Sequence, residues 1–402
     1  MSDQKPLPAV RGVEISPFRN DNGETYFALA DHLRLTPGPL AVSAAGFFII
    51  AHLDGRRTRA DVQEAFRGQF GQTLPVEQID KVVAALDQAL LLDNARFEQA
   101  YAARRAEYVR GTARDSRARW PDADALRGEV QRLLAGDGAP PSKDAVKGVI
   151  APHLDYARGG PCYSAAYRAL AQAVPAARYV ILGTNHFGRS LSVVATRKHF
   201  QTPLGLVRTD TALIDRIEQR LGAPICEEEP DHELEHSIEL QVHILQVLQP
   251  DHPFEIVPVL CPDPSGPAGT APLDGRGPDL GAFADALGAS LAANDKKTML
   301  IAAADLSHVG QHFGETQAST PALLEQVAES DRRLLSTLER RGAQAFVEAV
   351  RQGENRTRIC SVGCIYTLMR ALPGRACRLL KYHQAVSFET ETHVTCAAAV
   401  IE

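Results

Sequence analysis

The sequence predicts an α/β protein, with a central, mostly parallel sheet flanked by helices, preceded by a small N-terminal α+β domain. Three observations carry this. From residue 145 onward, short continuous apolar runs alternate with amphipathic stretches, the pattern of strands buried on both faces and the helices that cover them. Residues 1–94 instead show three short helical periodicities behind an N-terminal β piece. Between the two, residues 95–119 are dense in Arg and Ala and read as a solvated helical linker. The expected organisation is a domain over 1–94, a linker over 95–119 and an α/β domain over 120–402, which suits a chain of 402 residues.

Each element follows in order. Asp21–Tyr26, DNGETY, is a turn between two short apolar pieces and predicts a hairpin or arm. Ala41–Leu53 reads as a helix ended by the Asp54-Gly55 turn. Thr58 suits an N-cap, Val62, Phe66 and Phe70 share a face, and Gly71 suits the stop. Ile79, Val82, Val83, Leu86 and Leu90 recur at three and four and predict a further helix. Together these pieces make a winged-helix-sized unit. Its last helix carries one lysine against three acids, which disfavours phosphate contact and the reading of DNA.

In the larger part, a helix over Asp122–Gly136 leads into the turn-rich Asp137–Asp144. Strands are predicted at Ala145–His153, Ala177–Phe187, Phe254–Cys261 and Lys297–His308. Helices are predicted at Cys162–Val174, Thr211–Gly222, Glu235–Gln249 and Ala282–Asn294, with Gly159 and Gly160 turning the chain into the first of them. Cys377–Phe388 and His393–Ile401 read as two further strands at an antiparallel edge. Pro262–Leu280, rich in Gly and Pro, is expected to be a mobile surface loop.

Composition narrows the function classes. A formal charge of −6 argues against a general nucleic-acid binder. The most apolar stretch, Ala44–Leu53, has about half the length needed to cross a bilayer, so no membrane association is expected. The N-terminal MSDQKPLPAVRGVEI lacks the basic start and apolar run of a signal peptide, and a cytoplasmic location is the expectation. All seven cysteines lie beyond residue 160 at irregular spacings and should be thiols in a reducing compartment. Of the 13 histidines only His32 and His52 precede residue 150, which places any chemistry in the later part.

Ligands of open α/β sheets bind outside the carboxyl ends of the strands. Three predicted strands end in polar groups there: His153 with Asp155, then Thr184, Asn185 and His186, then Asp305 with His308. One such histidine is usually structural; three together are harder to dismiss. The helix at DHELEHSIELQ adds Glu235 and His236, although an acidic helix start is also favoured by the macrodipole alone. Cys360, in RICSVG, is a fifth candidate, against its reading as a small core hydrophobe.

The segments APH, RGG, SAAY, ILGTNHFG, EHSIELQ, IVPVL, ADLSHVG and RICSVG, in this order, resemble the Memo family, known in prokaryotes as AmmeMemoRadiSam system protein B. The resemblance covers residues 120–402 and implies a fold like that of the class III extradiol dioxygenases. It implies that His153, His186 and Cys360 are ligands to iron or copper, that Asp305 and His308 lie beside the metal, and that His236 lines the site. Asp155, Asn185 and Glu235 are then expected to contact substrate. Two imidazoles and a thiolate suit a redox-capable transition metal or zinc and are poor for magnesium or calcium. Two departures stand out. The dioxygenases complete their triad with a carboxylate where Cys360 stands here, so catechol cleavage is not expected. Upstream, RARWPD keeps only Trp120 and Pro121 of an AGxWYP-like segment.

The N-terminal part weakly resembles PqqD-like peptide-recognition domains, through DGRRTRADV (Asp54–Val62) and ALLLD (Ala89–Asp93), with a helical dimerisation or docking module as the alternative reading. The first functional expectation is a metal-dependent redox enzyme or accessory protein, working with a radical S-adenosylmethionine protein and an AMMECR-like protein, with a peptide held by the N-terminal domain. In it, His308, oriented by Asp305, shuttles a proton, and His236 bonds the same bound ligand. A zinc hydrolase with Asp305 or Glu235 as base, and a non-catalytic peptide adaptor using the same pocket, are the alternatives.

Overall fold

The computed structural model describes residues 5–20, 22–31, 33–36, 38–135, 146–293 and 295–402. The predicted turn Asp137–Asp144 and the first residue of DNGETY lie outside the described residues. The chain divides into two units, residues 1–110 and 111–402.

The first unit opens with an antiparallel sheet of β1 (Glu14–Arg19), β2 (Thr25–Ala30) and β3 (Leu40–Ser43), in that order. Helices α1 (Ala44–Ala51), α2 (Arg59–Phe70), α3 (Val76–Gln88) and α4 (Ala95–Arg110) follow. The expected helix over Ala41–Leu53 starts late, because Ala41–Ser43 pair with β2 and Ser43 caps α1. At α2, Thr58 and Asp61 form a reciprocal capping box and Gly71 closes the helix in the left-handed conformation. Val62, Ile79 and Leu86 fill the core, while Phe70 on the same face as Val62 is exposed.

Residues 95–119 do not form one connecting helix. Ala95–Arg110 belongs to the first unit, burying Phe97 under the guanidinium of Arg11 at 4.0 Å. Ala113–Asp115 is a strand, β4, of the second unit.

The second unit continues with α5 (Ala123–Leu134), β5 (Gly148–Ala151), α6 (Tyr156–Ala171), β6 (Arg178–Thr184) and three short strands: β7 (Val194–Ala195), β8 (His199–Thr202) and β9 (Gly205–Thr209). Next come α7 (Thr211–Leu221), α8 (Ser237–Leu248), β10 (Glu255–Cys261), α9 (Leu280–Leu291), β11 (Thr298–Ala303) and β12 (Asp305–Val309). The chain ends with α10 (Pro321–Gln352, interrupted at Gly342 with φ 80°), α11 (Val362–Ala371), β13 (Cys377–Ser387) and β14 (Thr392–Ile401).

Among the described residues the sheet has eleven strands, in the order β12-β14-β5-β11-β6-β10-β9-β8-β4, with β13 on β14 and β7 on β10. It is mixed, not mostly parallel. Parallel pairing is concentrated in the run β5-β11-β6-β10-β9 and recurs between β4 and β8, whereas β12, β13 and β5 each pair antiparallel with β14, β7 with β10, and β8 with β9. The two closing strands form the expected antiparallel edge: among the described residues β13 pairs with β14 alone, and β14 in turn pairs with β12 and β5.

Continuous apolar strands are explained by alternation into two cores. Val180, Leu182, Val257, Val259, Leu300 and Ala302 face the layer of α7, α9, α10 and α11. Tyr179, Ile181, Ile256, Leu260, Met299 and Ile301 face α5, α6 and α8. The expected turn at Gly159-Gly160 is absent. Asp155 caps α6, which runs straight through both glycines and Pro161, and a Cβ at Gly159 would press on the Tyr163 ring at 3.0 Å. Glycine is needed there for close packing. The Pro262–Leu280 segment is pinned by Arg351, whose guanidinium donates to the carbonyls of Pro264 and Ser265.

Candidate metal centre

Three neighbouring parallel strands, β5, β11 and β6, present their carboxyl ends side by side. His153 follows β5 by two residues, Asp305 follows β11 and His186 follows β6. Cys360 arrives from the turn before α11 and closes the group. That turn is held by Ser361, which bonds Thr184 Oγ1 at 3.0 Å and accepts from the Asp305 N–H at 3.2 Å. Gly363 allows the turn to approach β10, since a Cβ there would overlap the Pro262 carbonyl oxygen. The ligand atoms of His153, His186 and Cys360 all lie within 4.8 Å of one another.

The second ring nitrogen of each histidine has its own partner. His153 Nδ1 sits 2.9 Å from the Ala303 carbonyl, and His186 Nδ1 sits 3.1 Å from both carboxylate oxygens of Glu235. These acceptors place the hydrogen on Nδ1 and leave Nε2 as the coordinating lone pair, the usual outer support of a metal-bound imidazole. His153 Nε2 stands 3.5 Å from Cys360 Sγ and 3.5 Å from Asp305 Oδ2. Burial alone would lower the His153 pKa, but Asp305 and Cys360 together overcome it and push the value up to about 9. In chemical terms the pocket concentrates negative charge where a cation would sit. The donor set fits a soft or borderline transition metal.

Glu235 is not a free substrate contact. Its buried carboxylate accepts the backbone N–H groups of His186, His236 and Ser237, at 2.9, 2.8 and 2.8 Å, in addition to the His186 ring. Burial opposes its ionisation, yet His186 and these donors hold it well below the usual carboxylate range; in turn Glu235 outweighs burial and raises His186. His236 stacks on His186, with ring centroids 5.1 Å apart and 24° between planes. Burial pulls its pKa down to about 4, so it is a neutral imidazole at pH 7.

The remaining expected site residues have structural partners of their own. Asp155 is exposed, caps α6 through the Arg158 N–H and pairs with the Arg158 side chain. Asn185 is spent inside its own loop, donating to Asp231 at 2.8 Å and accepting from the Gly188 N–H at 2.9 Å. His308 is not oriented by Asp305: its Nδ1 is held by the carbonyls of Leu306 and Arg358, at 3.0 and 3.1 Å. Asp305 instead accepts the His153 N–H at 3.1 Å, and a register shift between Asp305 and His308 separates their duties. Burial lowers the His308 pKa, and with Nδ1 taken by the two carbonyls Nε2 is the ring's other nitrogen.

Sequence reasoning missed Ser361, Asp231 and Arg114. Asp231 is buried and receives Asn185 and the Arg189 and Ser190 N–H groups, fixing the loop after β6. Arg114 is buried under the Glu235 turn. An arginine in a three-residue strand carried no chemical signal of its own.

A family model described as Memo-like protein matches residues 120–400. The chain is 22% identical to a MEMO1 family protein of Aquifex aeolicus over 98% of its own length and 99% of the relative's. It is 27% identical to one of Thermus thermophilus, over 86% of this chain and 99% of that protein. It is 31% identical to a third, from Nitrosopumilus maritimus, over 47% of this chain and 63% of the relative. With the match spanning the whole of the sheet from β5 to β14, the chain belongs to the Memo-like protein family.

Proposed function

We propose that this chain is a metal-centre protein in which His153, His186 and Cys360 hold one iron or copper ion for redox chemistry on a bound small molecule or peptide. One observation carries the reading: two imidazoles with their Nδ1 atoms already occupied lie beside a thiol, His153 Nε2 at 3.5 Å from it, with one ligand atom of each of the three within 4.8 Å of the others. Iron or copper bound there supplies a redox-active Lewis acid with room for an outside ligand.

The chain's own groups have separable tasks. Glu235 fixes the ring plane and tautomer of His186. Asp305 anchors the backbone of His153 and offers its second oxygen toward the centre. His308, with Nδ1 tied to carbonyls, can accept a proton at Nε2, and the neutral His236 can accept a hydrogen bond from a bound ligand. A zinc hydrolase using Glu235 as base is disfavoured, since both its oxygens are occupied. Partnership with a radical S-adenosylmethionine protein, and peptide capture by residues 1–94, complete the proposal.

The test is metal analysis of protein purified without chelators under anaerobic conditions, alongside Cys360→Ser. Stoichiometric iron or copper, lost in the variant, is the expected result. Persistent absence of metal after anaerobic loading would overturn the reading, and zinc retained by both proteins would replace it with hydrolysis.

A further inference from the structure

We propose that Arg114 is a positioning residue of this centre, its guanidinium fixing the backbone turn that delivers Glu235 to His186. The inference rests on the metal-centre reading above and adds a residue far from the ligands in sequence.

Arg114 lies in β4, and its side chain is 1% exposed. Nε donates to the His232 carbonyl at 2.7 Å, Nη2 donates to the Glu235 carbonyl, and Nη1 stands 2.5 Å from Glu239 Oε2. Arg119 completes the pattern: Nη1 donates to the Leu234 carbonyl at 3.1 Å and Nη2 to the Glu233 carbonyl at 3.0 Å. Every carbonyl oxygen from His232 to Glu235 is therefore held by one of two guanidinium groups. These carbonyls close and follow the 3-10 turn at Glu229–His232.

The consequence falls on the next atoms along. The Glu235 carboxylate accepts His186 Nδ1 and the N–H groups of His186, His236 and Ser237. A rotation of the 235 peptide would carry that carboxylate off the imidazole. Only a planar fork can serve two carbonyls and a carboxylate at once; an ammonium group can keep the charge toward Glu239 but not the geometry. Glu239 is in turn fixed by Trp120 Nε1 at 2.6 Å, so Arg114 is braced from behind. Its ring neighbour Phe200, 5.2 Å away, shields it from water.

The test uses the full chain with Co²⁺ as probe. Arg114→Lys should fold, bind Co²⁺ about tenfold more weakly and alter the thiolate charge-transfer band. In the metal-free protein, spectra of ¹⁵N-labelled imidazoles should show His186 losing its single, hydrogen-bonded Nδ1–H state. Arg178→Lys is the control: that buried arginine holds Asp210 and Asp295 at the opposite end of the sheet, so it should lower Tm and leave Co²⁺ affinity unchanged. Should Arg114→Lys not fold, Arg119→Ala, which removes two of the four carbonyl contacts, should show the same changes in smaller measure. Wild-type Co²⁺ affinity and unchanged His186 signals in the variants would overturn the inference. A wild-type protein with no thiolate band would overturn the metal reading, while the imidazole spectra would still decide whether Arg114 sets the His186 ring.

Discussion

His153 Nε2 and Cys360 Sγ face each other at 3.5 Å across 207 residues of chain. One stands at the end of β5 and the other before α11, so neither is held there by the other's element. Replacing Cys360 by serine exchanges a soft donor for a hard one. Affinity for copper(I) should fall at least tenfold and the Co²⁺ thiolate band should vanish. Because Cys360 is only partly buried, stability should change by less than about 1 kcal/mol. Titration against a competing chelator checks this, and an unchanged band would remove Cys360 from the ligand set.

Glu235→Gln tests the support of His186. The amide nitrogen would point donors at donors, against a site with three backbone N–H groups and one ring N–H. A loss of about 2 kcal/mol in stability is expected, with metal affinity about 10- to 100-fold weaker. Denaturant melts and chelator competition measure the two; full affinity in a destabilised variant would show that Glu235 serves folding alone.

Asp155→Ala separates a helix cap from a substrate contact. Loss of the cap should cost about 1 kcal/mol. Metal affinity should not move, and neither should the affinity for any ligand found for the site. A selective loss of ligand binding at constant Tm would restore the substrate role.

Acid should destabilise the metal-free protein for an identifiable reason. Burial depresses His232 to about 3 and His243 to about 4. Between those values and the unfolded value near 6.5, the unfolded chain takes up protons that the folded one refuses. Their contribution is therefore complete above about pH 6.5 and lost as pH falls, by about 2 kcal/mol each at pH 5. His153, raised to about 9, acts in the opposite sense: its contribution is complete below about pH 6.5 and lost as pH rises through 9. Urea melts at pH 5, 7 and 9 in chelator should give a maximum near neutrality, and a flat profile would refute the assignment.

The sheet's parallel heart was legible because each strand there is apolar on both faces and each covering helix keeps its period. The same logic brought His153, His186 and Asp305 to one edge before any geometry was known. Cys360 came into the ligand set through the family resemblance, since nothing in a lone cysteine before a helix says where that helix packs. The mixed character of the sheet escaped because β8 and β9 are half polar and because β14 reads the same whichever neighbour it joins. The long helix α10 was overlooked, although Leu324, Val327, Ala328, Leu335 and Leu338 recur at helical spacing. The structural bonds of Asp155 and Asn185 went unread for a shared reason. Short polar side chains at strand ends cap helices and brace loops more often than they meet ligands, and spacing alone does not tell the two apart.

The Pro262–Leu280 segment has a practical use that follows from how it is held. Its first residues bear on Gly363 and Arg351, and near its end the Pro278 carbonyl accepts from Ser192, but Leu273 at the crest is 70% exposed. An exposed loop tip of this kind tolerates a changed side chain. A fluorophore or spin label carried by a cysteine at position 273 would therefore sit in solvent without displacing a packed side chain, and would serve for distance measurements to a bound paramagnetic ion.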